Sequence, residues 1–192
     1  RPAFPDRQPW LNSLAYSQRG VALQANNAKA HLSLAIAYGR LTDFVGNKQK
    51  LEYSKLIKQG AETAAALDPK DDFAWHVLAR WHAGVADTSG VLKALAKIVY
   101  GGMPAASFQD AAKCMKKASE LAPQRIIHRA ELALIYEKLE KPDLARQEWQ
   151  NVLGIKPVDK QDEEYHRKAR LALQKGRPDQ NDDGRVATRN RP

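Results

Sequence analysis

Apolar positions recur every three to four residues along most of the chain and rarely alternate, which predicts helices rather than strands. Leu11, Leu14, Ala15, Val21 and Ala22 form a first stripe, weakened by Gly20. Asn26-Asn27 interrupt it, and Asn27 has the chemistry of an N-cap for the next helix. Three later interruptions share one form: Ala66-Leu67-Asp68-Pro69, Glu120-Leu121-Ala122-Pro123 and Gly154-Ile155-Lys156-Pro157. Proline cannot continue a helix but tolerates a helix start, so each marks a stop followed by a new start. Residues 1–9 carry Pro2, Pro5 and Pro9 without an apolar period and read as an extended arm. Residues 10–175 read as one helical domain, and the polar, Gly/Pro-punctuated stretch 176–192 as a disordered basic tail.

Pro123 and Pro157 lie 34 residues apart, and Pro69 and Pro123 lie 54 apart, or 34 plus 20. A period of this size is the mark of a helical solenoid. The third unit reads Leu132-Ala133-x-x-Tyr136, Ala145-x-x-x-Trp149, Pro157. Those offsets match the tetratricopeptide (TPR) pattern, with Ala for Gly and Trp for Phe. Small residues let paired helices approach, and the aromatic residues fill the space between pairs. The second unit carries Leu78, Ala79 and His82, then Ala111, Met115 and Ala118, with 20 residues inserted. The first carries Leu34, Ala35 and Tyr38, then Ile57, Ala61 and Ala64, with an insertion of 10. The expected fold is therefore all-α: a TPR-like right-handed superhelix of antiparallel helix pairs. A helix precedes the three pairs, an inserted helix interrupts the second, and a capping helix near 160–174 closes the array.

Val91, Leu92, Leu95, Ile98 and Val99 form the apolar stripe of the inserted helix, with Lys93 and Lys97 off it. The stripe is expected to pack on the neighbouring pair and shape a groove; a docking or lipid-facing role is the alternative. Trp75 and Trp81 complete the candidate groove set. Ser107-Phe108-Gln109-Asp110 resembles a capping box with Asp for Glu, and Asp68, Asp71 and Asp72 surround another helix start.

Composition narrows the chemistry. The 192 residues are 43% hydrophobic and 28% charged, with a net charge of +9, which favours an acidic partner. Lys48, Lys50, Lys55 and Lys58 gather on the first insertion and its helix; Lys113, Lys116 and Lys117 gather on the second unit. The pattern expected for nucleic acid, basic patches with exposed aromatic residues interleaved, is not evident, which ranks nucleic acid low. Cys114 alone makes neither a disulfide nor a cysteine zinc site and reads as a partly buried, inert thiol. His76 and His82 are six apart, wrong for two ligands on one helix face, and His31, His128 and His166 stand apart from them. Asp179-x-Asn181-x-Asp183-Gly184 opens like a calcium loop, but the twelfth position is Asn190. No catalytic residue, cofactor or metal is expected. The longest stretch without a charged residue, Ile98–Gln109, is twelve residues, short of a membrane span of about 20. A first residue of Arg1 rather than Met reads as a processed or partial form.

Leu41–Leu173 resembles the regulator-of-microtubule-dynamics family. The resemblance rests on Asp43-Phe44-Val45-Gly46, Leu67-Asp68-Pro69-Lys70-Asp71, Leu78-Ala79-Arg80-Trp81, the insertion from Val91 through Gly101, Pro104 and Ser107, Ala118–Pro123, and the closing segment Pro157–Leu173. It implies a non-catalytic TPR-like scaffold that associates with microtubules or spindle poles. One branch of the family sits at mitochondrial contacts and binds phospholipid in the hollow of the domain. The partners implied are an acidic protein surface such as tubulin, or a phospholipid. The location implied is cytoplasmic and cytoskeleton-associated, or mitochondrion-associated. A fixed subunit of a larger assembly is the further alternative.

Overall fold

The computed structural model describes residues 6–175 apart from 101, 103 and 104. Residues 1–5 of the expected arm and the whole expected tail, 176–192, lie outside the described residues. The described chain is helical: α1 Gln8–Leu23, α2 Ala28–Leu41, α3 Asn47–Leu67, α4 Asp72–Ala86, α5 Gly90–Tyr100, α6 Phe108–Leu121, α7 Ile126–Lys138, α8 Pro142–Leu153 and α9 Lys160–Lys175. A 3-10 turn, Thr42–Phe44, leads from α2 toward α3. The first helix starts two residues earlier than the pattern suggests. Pro9 sits inside its first turn, where a missing N–H costs nothing.

The helix starts follow their caps. The Ala30 amide donates to Asn27 Oδ1 at 3.1 Å, the Phe73 amide to Asp71 Oδ1 at 3.0 Å, and the Asp110 amide to Ser107 Oγ at 3.0 Å. The α7 helix ends on Glu140, at φ 54, the only positive-φ residue other than glycine among those described. The Lys141 amide reaches back to the Tyr136 carbonyl at 2.9 Å, and the Glu140 amide to Glu137 at 3.0 Å. This is the paired bonding of a Schellman ending, with Glu where glycine is usual.

Three pairs form, α2 with α3, α4 with α6 and α7 with α8; α1 covers α2, and α9 covers α8 and the edge of α7. The crossings are built on small residues. Ala35, Ala61, Ala79, Ala111, Ala118, Ala130 and Ala133 are all fully buried. At Gly60 an added Cβ would meet the His31 carbonyl oxygen at 3.0 Å and Ala35 Cβ at 3.1 Å, so α2 and α3 touch through a glycine. Larger side chains fill the gaps between pairs: Met115 and Leu132 between the second and third, and Trp149, Val152 and Tyr165 beneath the closing helix. Trp75 touches three of the four apolar clusters and Cys114 two, so the core runs on from pair to pair. That continuity is what a stack of units needs, since no single pair buries its own apolar faces.

Candidate interaction surface and a buried histidine junction

The candidate groove residues divide. Trp81 is 5% exposed; its indole N–H donates to the Ser54 carbonyl at 2.8 Å and seals α4 against α3. Lys58 Nζ lies 5.2 Å above the same ring and 3.5 Å from Glu62. Trp75 is half-buried, its indole N–H donating to the Pro69 carbonyl at 3.0 Å. Both tryptophans therefore act mainly between helices.

The side chains of Val91, Leu92 and Leu95 lie outside the described residues. Of the rest of α5, Ala96 is 1% exposed whereas Ile98, counted in the sequence stripe, is 83% exposed. Lys93 and Lys97 are exposed, and Lys93 Nζ donates to the Ala86 carbonyl at 3.4 Å. Among the described residues α5 makes only sparse contact with other helices. An open cleft of about 490 Å³ lies at its base, lined by Val85, Ala86, Lys93 and residues 105–109.

The basic residues lie on the second helices of the first two pairs. Lys48, Lys55, Lys113, Lys116 and Lys117 are exposed, and Lys50 and Lys58 partly so. Lys113 pairs with Asp110 at 3.0 Å. Beside it His82 has a buried Nδ1 without a hydrogen-bond partner. Burial pushes the Cys114 thiol up to about 11, with Asp110 adding to the rise, so the sulfur stays protonated near neutrality.

One buried polar group was not visible in the sequence. His128, expected to stand alone, is fully buried on α7 with its Nδ1 3.0 Å from Nδ1 of His76, which is 4% exposed on α4. His128 Nε2 lies 2.7 Å from Asp72 Oδ2, and Arg125 Nε lies 2.9 Å from the same oxygen. The carboxylate can only accept, so His128 carries its proton on Nε2. Its Nδ1 then accepts the N–H of His76. Phe73 meets both imidazoles edge-on at 5.8 and 5.5 Å, and Arg125 stacks over that ring at 4.6 Å. Burial lowers the pKa of His76 to about 3, helped by the charges of His128, Arg80 and Arg125 against that of Asp72. Burial also lowers that of His128, opposed by the hydrogen bond and charge of Asp72. Two neutral imidazoles thus pin the second unit to the third. Their spacing of 52 residues matches no helical period, so only the stacking of the units brings them together. Among the described residues, no three His, Cys, Asp or Glu side chains gather where they could hold a metal ion. No described helix is long and apolar enough to cross a membrane.

Solved structures with the same architecture include a thermophilic TPR protein of Thermus thermophilus, at TM-score 0.64 and 16% identity, covering 84% of this chain and 71% of that one. MamA aligns at TM-score 0.55 and 14% identity, covering 84% and 87%. These likenesses establish the TPR-type fold. Regulator of microtubule dynamics protein 1 of Mus musculus is 27% identical over 111 residues, 58% of this chain and 36% of the relative. Protein 2 of Homo sapiens is 29% identical over 107 residues, 56% and 26%. The chain thus aligns with about a third or less of these relatives' length. The sequence profile described as regulator of microtubule dynamics protein 1-3 matches residues 7–177, a span that contains every described helix, and the chain belongs to that family.

Proposed function

We propose that this helical scaffold is non-catalytic and binds a protein partner with an acidic surface, the microtubule being the partner that the family's name suggests. The observation that carries the reading is the exposure of Lys48, Lys116 and Lys117, with Lys50 partly exposed, on α3 and α6. Lysines on rigid helices present charge without reordering the backbone, and an acidic lattice offers many equivalent contacts. Such an association places the protein with the cytoskeleton. Pelleting with polymerised tubulin at rising salt tests it. Binding is expected at low ionic strength, and it weakens steeply as the screening length falls from about 10 Å at 0.1 M toward about 3 Å at 1 M. Failure to pellet at low salt, or pelleting indifferent to salt, overturns the reading.

A second reading, a phospholipid held against the fold, is favoured by the cleft at the base of α5. Val85, Ala106 and Phe108 offer an apolar lining and Lys93 a cation for phosphate. Mass spectrometry of lipid co-purified with the chain tests it, and protein free of lipid contradicts it.

A further inference from the structure

The two ends of the array are finished differently. At one end α9 turns polar side chains outward, and Leu171 is the only apolar residue among its exposed ones. That is the polar outer face a terminal unit needs to stay soluble. At the other end α1 carries one charged residue, Arg19, in sixteen, although 28% of the whole chain is charged. Its inner side meets α2: Ser17 is buried, and a Cβ on Gly20 would stand 3.3 Å from Ala30 Cβ. Its outer side leaves Leu11, Ala15, Tyr16, Ala22 and Leu23 exposed, Tyr16 at 76% and Leu23 at 74%. At about 100° per residue Leu11, Ala15, Gln18 and Ala22 fall within an arc of about 60°, with half-buried Leu14 and Val21 along its α2 side.

The second helix of each complete pair lies between two others: α3 between α2 and α4, α6 between α4 and α7, α8 between α7 and α9. By contrast α1 has only α2 as a substantial neighbour among the described residues. Its apolar outer arc is the side on which a further helix would lie.

We propose that a second copy of this chain supplies that helix, α1 packing antiparallel on α1 about a two-fold axis. The segments outside the described residues, 1–5 and 176–192, offer Phe4 and Val186 as their only apolar side chains beyond alanine and proline, too few to cover the arc. The polar face of α9 is no match for it either, so copies do not stack head to tail, and a contact through α1 alone closes at two. Charge points the same way. A chain of +9 repels its own copies, and least where two faces with a single cation each approach. An axis midway between Ala15 and Gln18 sets Leu11 of each copy against Ala22 of the other, large against small at both ends of the strip. A helix of sixteen residues is about 24 Å long and about 10 Å across, so it covers less than the ~800 Å² per partner of a standard interface. The dimer is therefore reversible on dilution. It uses none of the α3 and α6 lysines invoked for the acidic protein partner.

Sedimentation equilibrium of the full chain across a dilution series tests the proposal. The mass should rise with concentration from one chain to two and stop there. Leu11→Arg and Ala22→Asp should each weaken the dimer at least about ten-fold, because each places an unpaired charge in the contact. The double variant Leu11→Arg/Ala22→Asp should restore it, since each Arg then meets an Asp across the axis. Positions 11 and 22 are about 16 Å apart along their own helix, so that rescue cannot arise within one chain. Both positions face solvent in the single chain, and unchanged helical circular dichroism and melting temperature establish that the variants fold. Leu171→Arg, at the far end of the array, should leave the dimer as it is. A chain that stays monomeric up to hundreds of micromolar overturns the proposal. So does a dimer indifferent to the single variants, one that the double variant fails to restore, or a mass that climbs past two chains.

Discussion

At the residue scale, close packing and buried chemistry set opposing signs on similar substitutions. Gly60 and Gly84 both occupy helices, where alanine is intrinsically better by about 0.5–1 kcal/mol. A Cβ at Gly84 meets open space, so Gly84→Ala should raise stability by about that amount. At Gly60 the obstacles are a backbone carbonyl and a buried alanine, neither of which can swing aside. Gly60→Ala should therefore destabilise by about 1–3 kcal/mol, and urea unfolding of the two variants checks the contrast. His128→Ala should cost about 2–4 kcal/mol, because it leaves a cavity and strips both His76 and Asp72 of a partner. The imidazole pair also fixes a pH dependence. Both folded-state pKa values lie below the usual 6.5, so the unfolded chain binds the extra protons. The stability held by the neutral pair is whole above about pH 6.5 and drains below it, for His76 as far as about pH 3. The slope is up to about 1.4 kcal/mol per pH unit for each histidine. The double variant His76→Leu/His128→Leu should flatten that acid limb in urea titrations; an unchanged slope would show that other groups set it.

At the element scale, helix boundaries were largely legible in the sequence because their chemistry is local. Asn27 and Ser107 cap the helices they precede, and Pro69, Pro123 and Pro157 fall in or beside the connections between helices. The ending of α7 was less legible, since nothing in Glu140 announces a left-handed backbone. Its Schellman bonds are intact, so the strain rests on the side chain alone, and Glu140→Gly should raise stability by about 0.5–1 kcal/mol in thermal melts. The stripe of α5 was only partly legible. Ile98 falls on the apolar stripe of the sequence but belongs to the solvent arc of the helix. What the period cannot supply is the neighbour, and among the described residues Ala96, rather than Ile98, is the position that turns inward.

At the scale of the whole molecule, the repeat count and its insertions could be read from spacing, because stacked pairs must present small residues at regular crossings. The junction of His76, His128, Asp72 and Arg125 could not, since it depends on contacts between units rather than within one. The same distinction governs function. Matching profile and fold identify a helical scaffold of the regulator of microtubule dynamics family, whereas the partner is a property of surface charge. The most direct measurement is pelleting with polymerised tubulin across a salt series, comparing the natural chain with Lys48→Glu/Lys50→Glu/Lys116→Glu/Lys117→Glu. The account predicts salt-sensitive binding by the natural chain and its loss in a variant that melts at the same temperature. Equal binding by the two, at every salt concentration, would contradict it.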